Sequence, residues 1–435
     1  TCFKNEWRNP SPKEMLSILR MWQKYVFKNS PKSTWSRSEQ AKEAYYWLRH
    51  REYFKDFEKN EFRREADDLS LSNKEFAEIY AWLLRDIGVK YDIAVVSKED
   101  FEINSNIPSK EDFQYFIRVN LPKDTLWAYN FNMMSHLGQL PNQFEDKVVL
   151  LFNEFQETNI QNLPKVKAKI YPAEFDNRVV NELNVTWEPA GYSPANLKHR
   201  SVCSGYLKPY YQFFGVNRFD LLAIELNRFN SKGADKVLSN KKFALTKKFL
   251  EERRSEENAL RNEFFEAQRL SDYVGLNLTY KNFQLVKDGR WHDQPQLEFL
   301  ENYSLQGLIN AVGDEDYVIA AGRLLGDQIA LSEEELDRGE VDIRMLCARS
   351  YCHNIKIEIP DGYKVEGLSA FNRKVENSTG GFISKAWVEG NNVVIETKKY
   401  YNHKFEKSEN WPLLVVFLQE AYAVSQLSLV FSQIN

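Results

Sequence analysis

Apolar residues in the first part of the chain, residues 1–90, recur with the period of an α-helix. One stripe follows Pro12, a residue suited to the first turn of a helix, and comprises Met15, Leu16, Ile18, Leu19, Trp22 and Val26. A second stripe follows Ser36 or Ser38 as N-cap and comprises Ala41, Ala44, Tyr45 and Leu48. A third begins at Ser72, whose spacing from Glu75 is that of a capping box, and ends at Gly88. The pattern predicts three helices.

After residue 90 the apolar spacing changes from the helical period to two, which is typical of half-buried strands. Alternating or strand-like segments occupy residues 91–95, 115–119, 126–131 and 148–152. A run of helices followed by a run of strands favours an α+β fold. We therefore predict an α+β module over residues 1–155.

The later chain, residues 160–435, again has the period of strands, with one interruption. Strand-like segments include residues 166–170, 180–187, 341–345, 355–359 and 393–395. The interruption has the apolar stripe of one long helix at about residues 233–270. We predict a β-sandwich domain over residues 160–435 that carries this helical insertion.

Composition excludes several classes of function. The 435 residues carry a net charge of −4, so the chain has no basic excess for general nucleic-acid binding. Its apolar runs, such as the six residues from Leu413 to Leu418, are too short to span a membrane. The 4 cysteines and 6 histidines lack the spacing of metal ligands, and we expect no metal and no cofactor. The sequence opens at Thr1 without a signal pattern, which we interpret as the edge of a processed or longer chain.

The third predicted helix carries the motif that points to a family. Residues 73–77 read Asn-Lys-Glu-Phe-Ala, and residues 83–88 read Leu-Leu-Arg-Asp-Ile-Gly. This segment resembles the active-site helix of bacterial transglutaminase-like proteins, in which a Cys opens the helix as Cys-Lys-Asp-Lys-Ala and a Gly ends it. The family spacing of 15 residues separates Asn73 from Gly88 without a gap. The preceding segment, residues 39–49, also resembles the family's helix before the nucleophile.

The resemblance implies a Cys-His-Asp triad, and all three positions hold other residues here. Asn73 stands at the nucleophile position, where a helix N-terminus would lower the pKa of a thiol. The family's strand Asn-His-Val-Ile-Val-Ala-Val aligns with residues 113–119, so Gln114 replaces the His. Its Trp-Leu-Asp-Pro aligns with residues 127–130, so Tyr129 replaces the Asp. Asn supplies no thiolate and Gln has no titratable nitrogen, so we expect the first module to be catalytically inactive.

The later chain resembles the β-sandwich domain that follows this module in envelope proteins of Bacteroidota-type bacteria. The residues that carry the resemblance are Gly-Tyr at 191–192, Lys-His-Arg at 198–200, the stretch 357–366, and the helix from Pro412 with the last strand. The resemblance implies a periplasmic, cell-surface or secreted location. It also implies a protein or glycan partner in the envelope.

Three hypotheses of function follow from these residues. The leading one is a non-catalytic transglutaminase-like envelope protein that binds or scaffolds, with a groove at the start of the Asn73 helix. Trp127, Tyr115 and Tyr129 would hold a peptide or glycan there, unless side chains simply fill the groove. The second hypothesis is a cysteine-dependent amide hydrolase or acyltransferase that uses Cys203, which lies four residues after His199. The third is a carbohydrate-binding accessory protein with an exposed aromatic row on the sandwich.

Overall fold

The chain has an α+β fold made of two compact units. The computed structural model describes residues 12–29, 34–53, 73–97, 113–129, 133–144, 147–153, 166–170, 177–190, 193–229, 240–313, 315–337 and 339–434. The first unit comprises Thr1–Phe175, Arg218–Arg254 and Gly289–Pro295, and the second comprises Asp176–Asn217, Ser255–Asp288 and Gln296–Asn435. The predicted modules were continuous, and both of their boundaries, at 155 and 160, lie outside the described residues.

The described α-helices include the three that were predicted before residue 90 and the predicted long helix. They are α1 (Pro12–Asn29), α2 (Arg37–Tyr53), α3 (Asn73–Ile87), α4 (Lys208–Gly215), α5 (Arg218–Arg228), α6 (Asn240–Asp272), α7 (Glu333–Leu336) and α8 (Trp411–Ser425). None of the helices in the described part of the chain is both long enough and apolar enough to cross a bilayer.

The described strands fall into four sheets. They are β1 (Lys90–Ser97), β2 (Phe113–Asn120), β3 (Thr125–Ala128), β4 (Val148–Asn153), β5 (Val166–Lys169), β6 (Arg178–Thr186), β7 (Ala195–Cys203), β8 (Asn277–Asp288), β9 (Leu297–Gln306), β10 (Ile309–Val312), β11 (Asp316–Ile319), β12 (Ile343–Arg344), β13 (Arg349–Glu358), β14 (Tyr363–Glu366), β15 (Arg373–Asn377), β16 (Gly380–Glu389), β17 (Asn392–Tyr401), β18 (Phe405–Glu406) and β19 (Leu429–Gln433).

The first unit packs helices against one face of an antiparallel sheet with the order β3-β2-β1-β4-β5. The helix-side core contains Tyr45, Phe76 and Ile117. The opposite face of the same sheet buries a second cluster, which includes Phe116 and Phe144. Ile117 and Phe116 point to opposite faces because side chains alternate along a strand. Burial of both faces explains why consecutive apolar residues occur in these strands.

The second unit is a β-sandwich. Its larger sheet has the order β15-β16-β17-β13-β6-β7-β9-β8, and its smaller sheet has the order β10-β11-β19-β14. Leu197 and Ile355 of the larger sheet share one core with Ile319 and Phe431 of the smaller sheet. Helix α8 contributes to the same core through Phe417. Among the described strand pairs, β13 with β6 is the parallel one.

Candidate functional site

The three positions that align with the family's triad lie together in the first unit. Asn73 is the first residue of α3, Gln114 is on β2, and Tyr129 directly follows β3. The Asn73 amide donates from Nδ2 to Gln114 Oε1 over 2.6 Å and to the Tyr129 hydroxyl over 2.8 Å. The Tyr129 hydroxyl donates to Gln114 Oε1 over 3.2 Å. The three side chains therefore form a closed set of hydrogen bonds, called here the polar triangle.

Strand pairing and a helix end bring the polar triangle together. In the antiparallel pair of β2 and β3, Ile117 lies opposite Ala128, so the chain leaves β3 at Tyr129 beside β2. Helix α3 packs against β2. Its first residue, Asn73, thereby lies within hydrogen-bond distance of Gln114 on β2. Gly88 follows the other end of α3 with φ 77°, a conformation that favours glycine at a helix C-terminus. Ser72, the predicted N-cap, lies outside the described residues.

Tyr129 is the most buried member of the polar triangle, at 7% exposure. Its ring packs edge-to-face against Phe116 and Phe144, with centroid distances of 6.3 Å and 5.7 Å. Burial raises the pKa of the Tyr129 hydroxyl, and the hydrogen bond from Asn73 partly opposes that rise. The hydroxyl is therefore neutral at physiological pH. Amides do not titrate in this range, so no member of the triangle carries a charge at physiological pH, and none can replace the thiolate or the imidazole of a catalytic triad.

The two other aromatic residues predicted for the groove lie on opposite faces of the sheet. Tyr115 packs against the helix-side cluster. Trp127 packs against the cluster on the other face, where its ring lies 5.3 Å from Phe116. The expectation that Tyr115 and Trp127 line one groove with Tyr129 is therefore not met. The cause is strand alternation, because Tyr115 precedes Phe116 and must point to the other side.

Three segments adjoin the polar triangle along the chain. They are residues 54–72, 98–112 and 130–132, and all lie outside the described residues.

The alternative catalytic pair, Cys203 and His199, lies in the second unit on β7. Four residues along a strand span about 13 Å, and the His199 ring is engaged elsewhere. Its Nδ1 pairs with the Tyr303 hydroxyl over 3.0 Å and its Nε2 with Asn181 Oδ1 over 3.1 Å. Burial raises the pKa of the Cys203 thiol to about 12 and lowers the pKa of His199 well below its usual range. Both shifts disfavour a thiolate–imidazolium pair of Cys203 and His199, and the reactivity of the Cys203 thiol stays a prediction.

Cys203 and His199 nevertheless line a cavity of about 290 Å³, called here the polar chamber. Its floor is the inward face of β6, β7, β13 and β17, and α6 and the loop after Ala321–Leu325 complete its wall. The polar and charged lining residues are Asn181, His199, Ser201, Arg269, Asp272, Asp327, Gln328, Arg349, His353, Thr397 and Lys399. No motif in the sequence singles out His353 or Lys399.

Another missed residue is Glu78 on α3. Its side chain is 2% exposed, and neither carboxyl oxygen has a hydrogen-bond partner among the described residues. Burial raises the pKa of Glu78 to about 7, and the nearby charge of Lys74 opposes the rise. The sequence signal was available, because Glu78 interrupts the apolar run of residues 76–81.

Helix α4 exposes two aromatic side chains of the second unit. Tyr210 is 52% exposed and Phe213 is 69% exposed. They are three residues apart and so share one side of the helix. No group of three or more His, Cys, Asp or Glu residues has the geometry of a metal site in the described part of the chain.

Comparison with solved structures finds a chain described as a "putative protease" from Parabacteroides distasonis ATCC 8503. The two chains are 9% identical with a TM-score of 0.42, and the match covers 97% of this chain and 59% of that chain. This chain thus spans less than two thirds of the length of that protein. No protein-family model and no curated protein matches the sequence.

Proposed function

We propose that this chain is a non-catalytic, transglutaminase-like protein of the cell envelope whose first unit binds or scaffolds a partner. The observation that supports the proposal best is the polar triangle of Asn73, Gln114 and Tyr129. Triad positions that had drifted without constraint would not be expected to hold three polar side chains in mutual contact. The arrangement retains polar groups that can bind a partner and lacks the nucleophile and base of a catalytic triad.

The donors and acceptors of the polar triangle explain why it would bind rather than react. Asn73 commits its amide group to two acceptors, and Gln114 Oε1 receives two donors. Neither a thiolate nor an imidazole is present to attack or deprotonate an amide. Among the described residues, no hydrogen bond engages the Asn73 side-chain carbonyl oxygen or the Gln114 amide nitrogen, which are one acceptor and one donor. Together these match a peptide or glycan amide, which also presents one donor and one acceptor.

Restoring the triad tests whether the site descends from a catalytic frame. The variant Asn73→Cys/Gln114→His/Tyr129→Asp would be compared with Asn73→Cys alone, which keeps the helix N-terminus but supplies no base. We expect iodoacetamide near pH 6 to label the introduced thiol at least tenfold faster in the triple variant, since a paired imidazole lowers a thiol pKa. Equal rates in the two variants would contradict the inherited geometry.

Catalysis by the unmodified chain would contradict the proposal directly. The measurement is ammonia release and amine incorporation with glutamine-containing and lysine-containing peptides. We expect both signals to stay at the level of the buffer control. Activity that survives Asn73→Ala would place a catalytic centre elsewhere.

Binding is tested with the same peptides and with envelope glycans on an array. Tyr129→Phe removes the hydroxyl that joins Asn73 to Gln114 while leaving the buried ring in place. We expect this variant to lose binding, and Tyr206→Phe, a tyrosine substitution in the second unit, to retain it. Binding that is unchanged in Tyr129→Phe would contradict the assignment of the site.

A carbohydrate-binding accessory protein is the second candidate, because Tyr210 and Phe213 expose their rings on α4. Aromatic faces stack on sugar rings, so this function predicts glycan binding that Phe213→Ala weakens and Tyr129→Phe does not. The glycan array therefore separates the two candidates by the variant that loses signal.

A further inference from the structure

The polar chamber interrupts the core of the second unit along the same face of the larger sheet. On β13 the inward residues Ile355 and Ile357 are apolar, whereas Arg349, Tyr351 and His353 face the chamber. The other central strands change in the same way, from Ala195 and Leu197 to His199 and Ser201 on β7, and from Val393 and Ile395 to Thr397 and Lys399 on β17. Inward positions of a sandwich are normally apolar. The coordinated change on neighbouring strands builds a polar site at one end of the sheet.

One polar row crosses the floor of the chamber in register. Thr397 lies opposite His353, His353 opposite Asn181, and Asn181 opposite Ser201. Asn181 Nδ2 donates to His353 Nε2 over 3.2 Å, and the Ser201 hydroxyl donates to Asn181 Oδ1 over 2.9 Å. The row is neutral, because burial lowers the pKa of His353 to about 4.

Two cations lie beside this row without forming an ion pair among the described residues. Lys399 Nζ donates to Gln328 Oε1 over 2.6 Å. Arg349 donates to the Tyr351 hydroxyl over 3.1 Å and to the Cys347 carbonyl oxygen over 3.2 Å. Within the described part of the unit, neither cation has a carboxylate oxygen within the 4.0 Å of an ion pair. Arg269, by contrast, pairs with both Glu301 and Asp272.

The charge of this pair is incompletely compensated. The charge of Asp327 favours the ammonium form of Lys399, but Asp327 is exposed, so solvent screens its charge. Burial and the charge of Arg349 lower the pKa of Lys399 to about 8, so the ammonium form still predominates at neutral pH. Burying cations without an anion is costly, and an anionic ligand would recover that cost.

We propose that the polar chamber binds a small organic monocarboxylate, with its carboxylate against Lys399 and Arg349 and its body along the neutral row that begins at Thr397 and His353. The volume of about 290 Å³ corresponds to roughly ten water molecules at about 30 Å³ each, enough for an acid of that size. A phosphate dianion fits less well, because Asp272 also lines the chamber. This site is independent of the polar triangle.

Calorimetric titration of the full chain tests the proposal with acetate, benzoate and cyclohexanecarboxylate at constant ionic strength. Benzamide serves as the uncharged counterpart of benzoate, and inorganic phosphate as the non-carboxylate anion. We expect at least one carboxylate to bind. Its affinity should exceed that of benzamide and of phosphate by at least about tenfold, because one charge-assisted hydrogen bond contributes about that factor to an affinity.

Two variants assign the binding to the chamber. Lys399→Met keeps the length of the side chain and removes its charge, and Lys398→Met is the matched control, since Lys398 is exposed on the opposite face of β17. We expect Lys399→Met to weaken the carboxylate by about tenfold or more and Lys399→Arg to retain most of the affinity. Circular dichroism verifies that each variant folds. The proposal is wrong if none of the three acids binds, if benzamide binds as tightly as benzoate, or if Lys398→Met and Lys399→Met have equal effects.

Discussion

Glu78 gives the first unit a stability that depends on pH, and Glu78→Gln should remove that dependence. The carboxyl group lies on α3 between Ala77 and Ile79, at 2% exposure and without a hydrogen-bond partner in the described residues. The folded state therefore favours the neutral acid, and burial raises the pKa from 4.5 to about 7. An amide of the same shape occupies the site without titrating.

The sign and size of the effect follow from the two pKa values. Below about pH 4.5 the carboxyl group of Glu78 is protonated in both the folded and the unfolded state, and its full contribution to the free energy of unfolding is present. As the pH rises toward 7 the unfolded state loses the proton first, so the free energy of unfolding falls. The shift corresponds to about 3 kcal/mol at about 1.4 kcal/mol per pKa unit. Relaxation around the carboxylate and screening by solvent reduce the expected loss to about 2 kcal/mol.

Urea denaturation at pH 5, 6, 7 and 8, followed by tryptophan fluorescence, measures this loss. We expect the unmodified chain to lose about 2 kcal/mol between pH 5 and pH 8, and Glu78→Gln to lose much less. Glu251→Gln is the control, because Glu251 is an exposed carboxylate of the same unit. The reasoning is refuted if Glu78→Gln retains the pH dependence of the unmodified chain, or if Glu251→Gln removes it.

Three further outcomes are expected. Arg269→Met should destabilise the second unit by about 3 kcal/mol in urea titrations, because Glu301 would stay buried without its cation. Gly322→Ala should lower the melting temperature by several degrees relative to the unmodified chain, because the added Cβ would clash with the Val424 carbonyl oxygen. Mass spectrometry should show iodoacetamide labelling of Cys203 only in denaturant, since burial raises the pKa of its thiol to about 12. Rapid labelling of Cys203 in the folded chain would instead support the hypothesis of a cysteine-dependent enzyme.

The parts of the fold that depend on local pattern could be predicted from the sequence. The stripe from Phe76 to Leu84 and the glycine at position 88 correspond to α3 and its end. The α+β order of elements is confirmed. The juxtaposition of Asn73, Gln114 and Tyr129 was expected from a family alignment rather than from periodicity, because three segments so distant in sequence have no local signal that joins them. The role of these residues stays a prediction.

The polar chamber could not be predicted because its floor depends on the order of strands in a sheet. Asn181 and His353 are neighbours through the parallel pairing of β6 with β13, which are far apart in sequence. A partial signal did exist. His199 and Ser201 occupy the same strand parity as Leu197, so a buried strand face was changing from apolar to polar. A change from apolar to polar residues along one strand indicates a buried polar site only when the strands paired with it show the same change.

The two polar clusters differ in what a ligand would gain, and this difference constrains the ligand of each. In the polar triangle the described side chains already hydrogen-bond to one another. A ligand that breaks one of these bonds without replacing it loses about 1 kcal/mol of binding free energy. An amide, which brings both a donor and an acceptor, can bind to the remaining groups without breaking the triangle. In the chamber, the hydrogen-bond partners of Lys399 and Arg349 among the described residues are neutral, so an anion adds attraction without displacing an ion pair. Weak, amide-selective binding is therefore expected at the triangle, and charge-dependent binding in the chamber.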